Sequence, residues 1–281
     1  MSNEPGVLYV VATPIGNLSD ISRRATETLG QVDLVAAEDT RHTKKLFDAL
    51  GIQAPAMLSL HEHNERERID RILQLLQEGS RIALVSDAGT PLISDPGFLL
   101  VARCRELGLL VIAVPGPSAV ITALSISGLP TDRFLFEGFL PRTSSKRRAR
   151  LEALRDFGST IVFYESSHRI LQTLKDMQQL FGHHRHAVVA RELTKKFETV
   201  ITGTLARLVE VVEADANQQR GEFVIMVAGA EVRADTLDSE ARRVLDAFAD
   251  ELSPNRLARV AAKLYGGNKR DYYNYLLDRG G

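Results

Sequence analysis

Ile82-Ala83-Leu84-Val85-Ser86-Asp87-Ala88-Gly89-Thr90-Pro91 passes from an apolar run to a polar turn in the manner of a buried parallel strand and its loop. Its first four residues form a short apolar run without polar alternation, as a strand buried on both faces requires. The run stops on small, polar and conformationally restricted residues suited to a loop. The same theme recurs on either side, at Val7 to Ala12, Val32 to Ala37, Ala56 to Leu60 and Leu109 to Val114. Between these runs the apolar spacing predicts helices over about Ser22 to Leu29, Thr43 to Leu50, Glu65 to Glu78 and Phe98 to Leu107. Gly30, Gly51, Gly79 and Gly108 follow them as C-caps. Strands alternating with helices in this way build a parallel sheet, and residues 1–127 are read as an open α/β domain.

The character changes after Pro117 to Ser127, where Gly128, Leu129 and Pro130 punctuate the chain. Residues 128–230 are read as a second α/β domain, with strands at Phe134 to Gly138, Thr160 to Tyr164, Ala187 to Arg191, Phe197 to Gly203 and Phe223 to Val227. Helices are expected near Lys146 to Asp156, Arg169 to Leu180 and Leu205 to Glu213. The link between Arg191 and Phe197 is too short for a parallel crossover, so that pair must be antiparallel and the sheet mixed. Residues 231–281 read as a small helical tail, with Ser253 and Pro254 as a helix start, Gly266 and Gly267 as a stop, and Asn268 as a fresh cap.

With 44% hydrophobic and 25% charged residues, the chain has the composition of a folded protein. The amino terminus lacks a basic region followed by an apolar run, so neither signal peptide nor membrane span is expected. Cys104 is the only cysteine, which excludes an intramolecular disulfide framework and fits a reducing, cytoplasmic setting. In a helical stretch it reads as a small buried thiol rather than a nucleophile. The formal net charge of -1 gives no global attraction to nucleic acid, so any RNA contact must come from local basic patches.

In open parallel sheets, ligands bind outside the carboxyl ends of the strands. Here those ends run into Thr13-Pro14-Ile15-Gly16-Asn17, Glu38-Asp39-Thr40-Arg41, Leu60 to Asn64, the Ser86 to Pro91 segment and Pro115-Gly116-Pro117-Ser118. No G-x-G-x-x-G and no G-x-x-x-x-G-K-[ST] occurs, which disfavours a nicotinamide enzyme or a P-loop NTPase. Asp87 can accept hydrogen bonds from an amine or hydroxyls, and Gly89 lets a ligand approach the backbone. A plain strand-to-helix turn is the alternative. The repeat of restricted residues at Ser94-Asp95-Pro96-Gly97 argues against it.

Several strings together, in order, resemble the 16S rRNA (cytidine-2′-O)-methyltransferases, a branch of the tetrapyrrole methylase superfamily. They are Thr13 to Leu18, Ala37 to Arg41, Val85 to Pro91 with Ser94 to Gly97, Pro115 to Ala119, Gly138 to Pro141, Phe163 to Arg169 and Arg191 to Lys196. The resemblance extends over nearly the whole chain. It implies two α/β domains of tetrapyrrole methylase type, a parallel-sheet N-terminal domain and a mixed-sheet second domain, with S-adenosylmethionine in the cleft between them. It further implies a homodimer and, as substrate, a cytidine ribose in the decoding region of 16S rRNA within the small ribosomal subunit. Cofactor contacts carry over to Pro14, Asp87, Gly89, Thr90, Ser118, Ala119, Tyr164, Leu193 and Glu222. The tetrapyrrole branch usually carries Gly-x-Gly-Pro-Gly in the first loop and Gly-Asp-Pro in the fourth. Thr-Pro-Ile-Gly-Asn and Ser-Asp-Ala-Gly here fit the RNA branch better.

Methyl transfer from a sulfonium mainly needs positioning of donor and acceptor, and no metal is required. A ribose hydroxyl is a weak nucleophile that benefits from a base. Glu38, Asp39, Glu165 and Glu192 are the carboxylates of the matched strings, with Asp39 and Glu165 the first candidates; Lys195 could serve only if burial lowered its pKa. Asp39 has the alternative role of N-cap, and Glu192 that of an ion pair with Arg191 or Lys195. The His61-Glu62-His63 group and the His183, His184, His186 group lack H-E-x-x-H spacing and read as solvated turns. RNA phosphates are expected at Arg23, Arg41, Lys44, Arg142, Lys146, Arg147, Arg148 and Lys196. The tail residues Arg256, Arg259, Lys263, Lys269 and Arg270 are a second basic group, while Leu257, Val260, Ala261 and Leu264 at helical spacing are expected to pack against the main body or a partner subunit. Two other classes fit the same sequence: a methyltransferase acting on a small tetrapyrrole, and a catalytically silent ribosome-assembly factor.

Overall fold

A computed structural model describes residues 6–61, 64–230 and 239–278, and the chain divides into two compact units, 1–229 and 230–281. Glu62 and His63, part of the first histidine group, lie outside the described residues, as do residues 231–238 at the start of the tail.

The first sheet contains β1 (Val7–Val11), β2 (Leu34–Ala37), β3 (Ala56–Ser59), β4 (Arg81–Val85) and β5 (Leu110–Val114). All its pairings are parallel, in the order β3-β2-β4-β1-β5. The crossovers are α1 (Arg23–Leu29), α2 (Thr40–Leu50), α3 (Glu65–Gln77) and α4 (Phe98–Glu106). Alternate strand residues fill two cores. Leu8, Ala36, Ile82 and Leu84 pack with Ile72, Leu76, Leu100 and Cys104, whereas Val11, Val35, Ala83 and Val85 pack with Ala25, Leu29 and Phe47. Burial on both faces explains why these strands read as continuous apolar runs. Cys104 is fully buried, and burial pushes its thiol up to about 11, so it is an inert core residue. The chain leaves β2 towards β3 at one edge and leaves β4 towards β5 at the other, so the loops diverge between β2 and β4. A crevice opens at such a switch point.

The second sheet contains β6 (Phe134–Phe139), β7 (Thr160–Ser166), β8 (His186–Arg191), β9 (Thr199–Thr204) and β10 (Glu222–Val227) in the order β6-β7-β10-β8-β9. Only β6 and β7 are parallel; β8 and β9 are antiparallel, as their short link requires. One face is covered by α6 (Ser144–Leu154), α7 (Ile170–Phe181) and α8 (Leu205–Ala214), with Leu151, Phe163, Leu174, Val189, Leu208 and Ile225 at its centre. The other face carries Val162, Val188, Val224 and Met226, which pack against Ile15 of the first loop and Val120, Ala123 and Leu124 of a further helix, α5 (Ala119–Ser127). That helix joins the two sheets.

The second unit is a three-helix cluster of α9 (Ser239–Phe248), α10 (Pro254–Tyr265) and α11 (Lys269–Asp278), built around Leu245, Leu257, Ala258, Ala261, Tyr272 and Leu276. Leu257 and Ala261 therefore fill the cluster's own core, whereas Val260 and Leu264 are exposed. Among the described residues no helix is long and apolar enough to cross a membrane.

Candidate active site

The carboxyl ends of the first sheet converge because their loops are tied to one another. Thr13 and Gly89 form an antiparallel bridge, the Thr13 N–H donating to Gly89 O at 2.9 Å and the Gly89 N–H to Thr13 O at 3.1 Å. Gly89 has φ +83°, a left-handed conformation that side-chain-bearing residues rarely adopt, and a bare backbone leaves the wall open to a ligand. The Asp39 N–H donates to the Asp87 carboxylate at 3.2 Å, and the Asp87 N–H donates to the Glu38 carboxylate at 3.3 Å. The Thr90 hydroxyl donates to Pro117 O at 3.0 Å, joining the fourth loop to the fifth.

These loops and the facing part of the second sheet, chiefly β7, β10 and β8, enclose a cavity of about 450 Å³. Glu38, Asp87, Gly89, Thr90 and Asp95 form its first wall, and Ser118 and Ala119 its floor. Ser118 occupies the N-cap position of α5 with no side-chain cap hydrogen bond, so the amino end of that helix opens on the cavity. Tyr164, Glu165, Leu193, Glu222 and Val224 form the opposite wall. Tyr164 is held edge-on to Phe136, with ring centroids 5.0 Å apart, and beside Phe139 at 5.5 Å. Burial, reinforced by the charge of Asp95, pushes its phenol up to about 12, so it stays protonated at neutral pH. Among the described residues no group of three or more His, Cys, Asp or Glu side chains is placed to hold a metal ion.

Eight of the nine expected cofactor residues line this cavity: Asp87, Gly89, Thr90, Ser118, Ala119, Tyr164, Leu193 and Glu222. Pro14 does not, although its neighbour Ile15 does.

The three residues expected to be catalytic fare differently. Glu165 lines the cavity but its buried carboxylate is saturated, accepting from the Thr173 hydroxyl at 2.6 Å, the Ser166 N–H at 2.8 Å and Arg169 Nη2 at 3.2 Å. Arg169 Nη2 in turn donates to Leu140 O at 2.8 Å, so the cluster fastens the loop after β6 to the end of β7. Asp39 takes its alternative role as an N-cap. It caps α2, accepting from the Arg41 N–H at 2.8 Å, and pairs with Arg41 Nη2 at 2.7 Å. Those hydrogen bonds hold its carboxyl well below the usual carboxylate range, so it has little appetite for a proton, and it is not on the cavity wall.

The condition set for Lys195 as a base, a pKa lowered by burial, is not met. Burial alone would lower its pKa, but Glu222 at 2.8 Å and Glu192 at 2.9 Å outweigh it and raise the ammonium above its ordinary value. Glu192 is lowered, because its hydrogen bonds to Lys195 and to the Glu222 N–H outweigh the opposing effect of burial.

Of the residues expected to meet RNA, Arg142, Lys146, Lys44 and Lys196 are exposed, the last lying over the Phe197 ring at 5.6 Å. Arg23 and Arg41 are exposed and paired with Glu27 and Asp39. Arg147 is a correction. It is buried, and its guanidinium grips Asp176 at 2.7 Å, so it holds α6 against α7 and is not available to phosphate. Arg148 shares Asp176 at 3.0 Å and is partly exposed.

Asp95 is the residue missed as a candidate base. Burial, together with the charges of Glu38 and Asp87, pushes its carboxyl up to about 6 against the opposing hydrogen bond from Ser86. Its signal was the Ser94-Asp95-Pro96-Gly97 string, read for its turn residues rather than for the carboxylate inside it.

Residues 7–209 match the family described as Tetrapyrrole (Corrin/Porphyrin) Methylases. A relative named Ribosomal RNA small subunit methyltransferase I, from Pseudomonas aeruginosa, is 52% identical over 278 residues, 98% of each chain. One of the same name from Escherichia coli O157:H7 is 48% identical over 279 residues, 99% of this chain and 97% of that one. Among solved structures, uroporphyrin-III-C-methyltransferase from Thermus thermophilus superposes with a TM-score of 0.56 at 20% identity, over 79% of this chain and 94% of its own. A diphthine synthase gives a TM-score of 0.58 at 15% identity, over 87% and 96%. At such low identity these two speak for the fold alone.

Proposed function

The chain belongs to the tetrapyrrole methylase family, and from that premise we propose that it is an S-adenosylmethionine-dependent methyltransferase of small-subunit ribosomal RNA, acting on the 2′-hydroxyl of a cytidine in the 16S decoding region. The observation that carries the reading is the cavity between the sheets. It gathers the loops of four first-sheet strands and eight of the nine residues expected to hold the cofactor, in a chain about half identical to named rRNA methyltransferases.

The cavity suits the cofactor chemically. Its volume of about 450 Å³ lies in the range of small-molecule sites. An ammonium and ribose hydroxyls find acceptors in Asp87 and Glu38, a carboxylate finds the amino end of α5 at Ser118, and an adenine finds apolar cover from Leu193 and Val224. When bound, S-adenosylmethionine supplies an intrinsically reactive methyl group. The protein's own part is orientation. Cross-linked loops hold the first wall rigid, the Phe136, Phe139 and Tyr164 rings exclude water from the other side, and the saturated Glu165 cluster keeps the β7 end in place.

RNA would be held by the exposed Arg142, Lys146, Lys44 and Lys196 with help from Arg23, Arg41 and Arg148, since the net charge of -1 provides no general attraction. We read the working form as a homodimer. The exposed Phe98 and Leu99 on α4 and Ile121 on α5 supply apolar surface for a second copy.

Labelled cofactor incubated with undermethylated 30S particles or with a porphyrinoid acceptor tests the reading. Label is expected in the 16S rRNA and, after nuclease digestion, on the ribose of one cytidine. Label in the porphyrinoid overturns the substrate, label on a base overturns the position, and failure to bind cofactor would mean a silent assembly factor.

A further inference from the structure

We propose that the Asp95 carboxylate accepts the proton of the acceptor ribose hydroxyl during methyl transfer, an assignment that rests on the reaction proposed above. Among the described residues, five carboxylates line the cavity: Glu38, Asp87, Asp95, Glu165 and Glu222. Four are engaged by backbone N–H groups or by side-chain donors and cations. Glu165 has Arg169, Thr173 and a backbone N–H; Glu222 has Lys195; Glu38 and Asp87 each accept a backbone N–H from the neighbouring loop. Each of the four thus already holds a donor from a neighbouring loop or side chain.

Asp95 is different. Its hydrogen bond comes from the neutral Ser86 hydroxyl, and the charged groups facing it are the anions Glu38, after β2, and Asp87, after β4. From the opposite wall it faces the phenol of Tyr164 on β7, which it influences across the cavity. The cations nearest that wall, Arg169 and Lys195, are engaged by Glu165 and by Glu192 with Glu222. Partial burial, helped by two like charges, therefore favours the protonated form and pushes the carboxyl up to about 6. A base with a pKa near the working pH combines ionisation at neutrality with useful basicity.

The backbone holds this group in place. Leu92 and Ser94 adopt φ +73° and +70°, left-handed conformations that side-chain-bearing residues rarely take and that cluster at functional sites. Gly97, at φ +118°, packs where an added Cβ would sit 2.7 Å from Leu84 Cδ2, and its N–H donates to the buried Glu65 carboxylate at 3.1 Å. The turn carrying Asp95 is thus anchored at Gly97, two residues beyond it.

In the step, the 2′-oxygen forms a bond to the methyl carbon while the carbon–sulfur bond breaks and its electron pair stays on sulfur. The hydroxyl proton passes to Asp95 and is later released to water. No further reactant is needed, and charge balances as cationic sulfonium and anionic carboxylate become neutral thioether and neutral acid.

The test joins kinetics to a direct titration. In wild type, the single-turnover rate of RNA methylation should rise with pH through about 6 and then level, as Asp95 ionises. Asp95→Asn should lower the plateau by roughly 100-fold or more and abolish the acid limb, because general bases contribute about 10²–10⁴. Its affinity for S-adenosylhomocysteine, read by calorimetry, should be unchanged. In aspartate-carboxyl-labelled protein without cofactor, the carbon resonance missing from the Asp95→Asn variant should titrate near 6. A variant that keeps the wild-type rate, that loses product binding, or whose missing resonance titrates in the ordinary aspartate range overturns the assignment. A wild type that binds cofactor yet methylates no RNA sinks the underlying reaction instead.

Discussion

Arg147 and Arg148 are neighbours in sequence and opposites in use. Successive residues on a helix point about 100° apart, so one of the pair turns inward while the other stays near solvent. The side chain of Arg147 is 5% exposed and that of Arg148 33%, both on the same Asp176 carboxylate, itself 4% exposed. Arg147→Ala should therefore cost about 3–5 kcal/mol in urea unfolding, because Asp176 is left buried with one cation fewer, whereas Arg148→Ala should cost clearly less. Neither the affinity of Arg147→Ala for rRNA nor its salt slope should fall beyond what partial unfolding explains. A flattened slope with intact stability would return this residue to the RNA surface. A basic cluster is visible in sequence, but which of its members is buried depends on an acid 29 residues away. Lys195 shows a related effect: its pKa is raised by Glu222, 27 residues downstream, together with the nearby Glu192.

At the scale of elements, the crossover helices of the first sheet were legible because each carries an apolar stripe and an end signal. The helix α5 was not. Val120, Ala123 and Leu124 are buried against the second sheet while Ile121 and Ile126 are exposed, so apolar residues on both sides of the helix blur the period that would mark it. The β8 and β9 pairing, by contrast, followed from linker length alone. The contact between the starts of α3 and α4 was invisible in sequence. Glu65, expected only as a first-turn helix residue, is buried and accepts the Gly97 N–H. Glu65→Ala leaves that amide without its acceptor and should cost about 1–3 kcal/mol in chemical denaturation, while Glu65→Gln, which keeps an oxygen there, should recover most of it. Because Gly97 lies just beyond Asp95, the alanine variant should also slow methyl transfer. An equal loss of stability in both variants would show that charge, not hydrogen bonding, matters there.

At the scale of the whole molecule, every residue lining the cavity falls between Ile15 and Val224, inside the unit that ends at Gly229, and the three tail helices close around a core of their own. A chain ending at Gly229 should fold and bind S-adenosylhomocysteine with the Kd of the full chain, read by calorimetry. Loss of binding would make the tail part of the cofactor site. The sequence by itself determined the run of strands and helices, the mixed pairing of the second sheet, the loops that would carry chemistry and the family to which they belong. These are written in local patterns: apolar runs, turn residues and linker lengths act within a few residues of themselves. The strand order, the fate of each arginine and the identity of the basic carboxylate were decided only by the tertiary structure. A carboxylate's affinity for protons is set by whatever charges and donors surround it, and around Asp95 these arrive from β2, β4 and β7, elements that only the folded chain brings to one place.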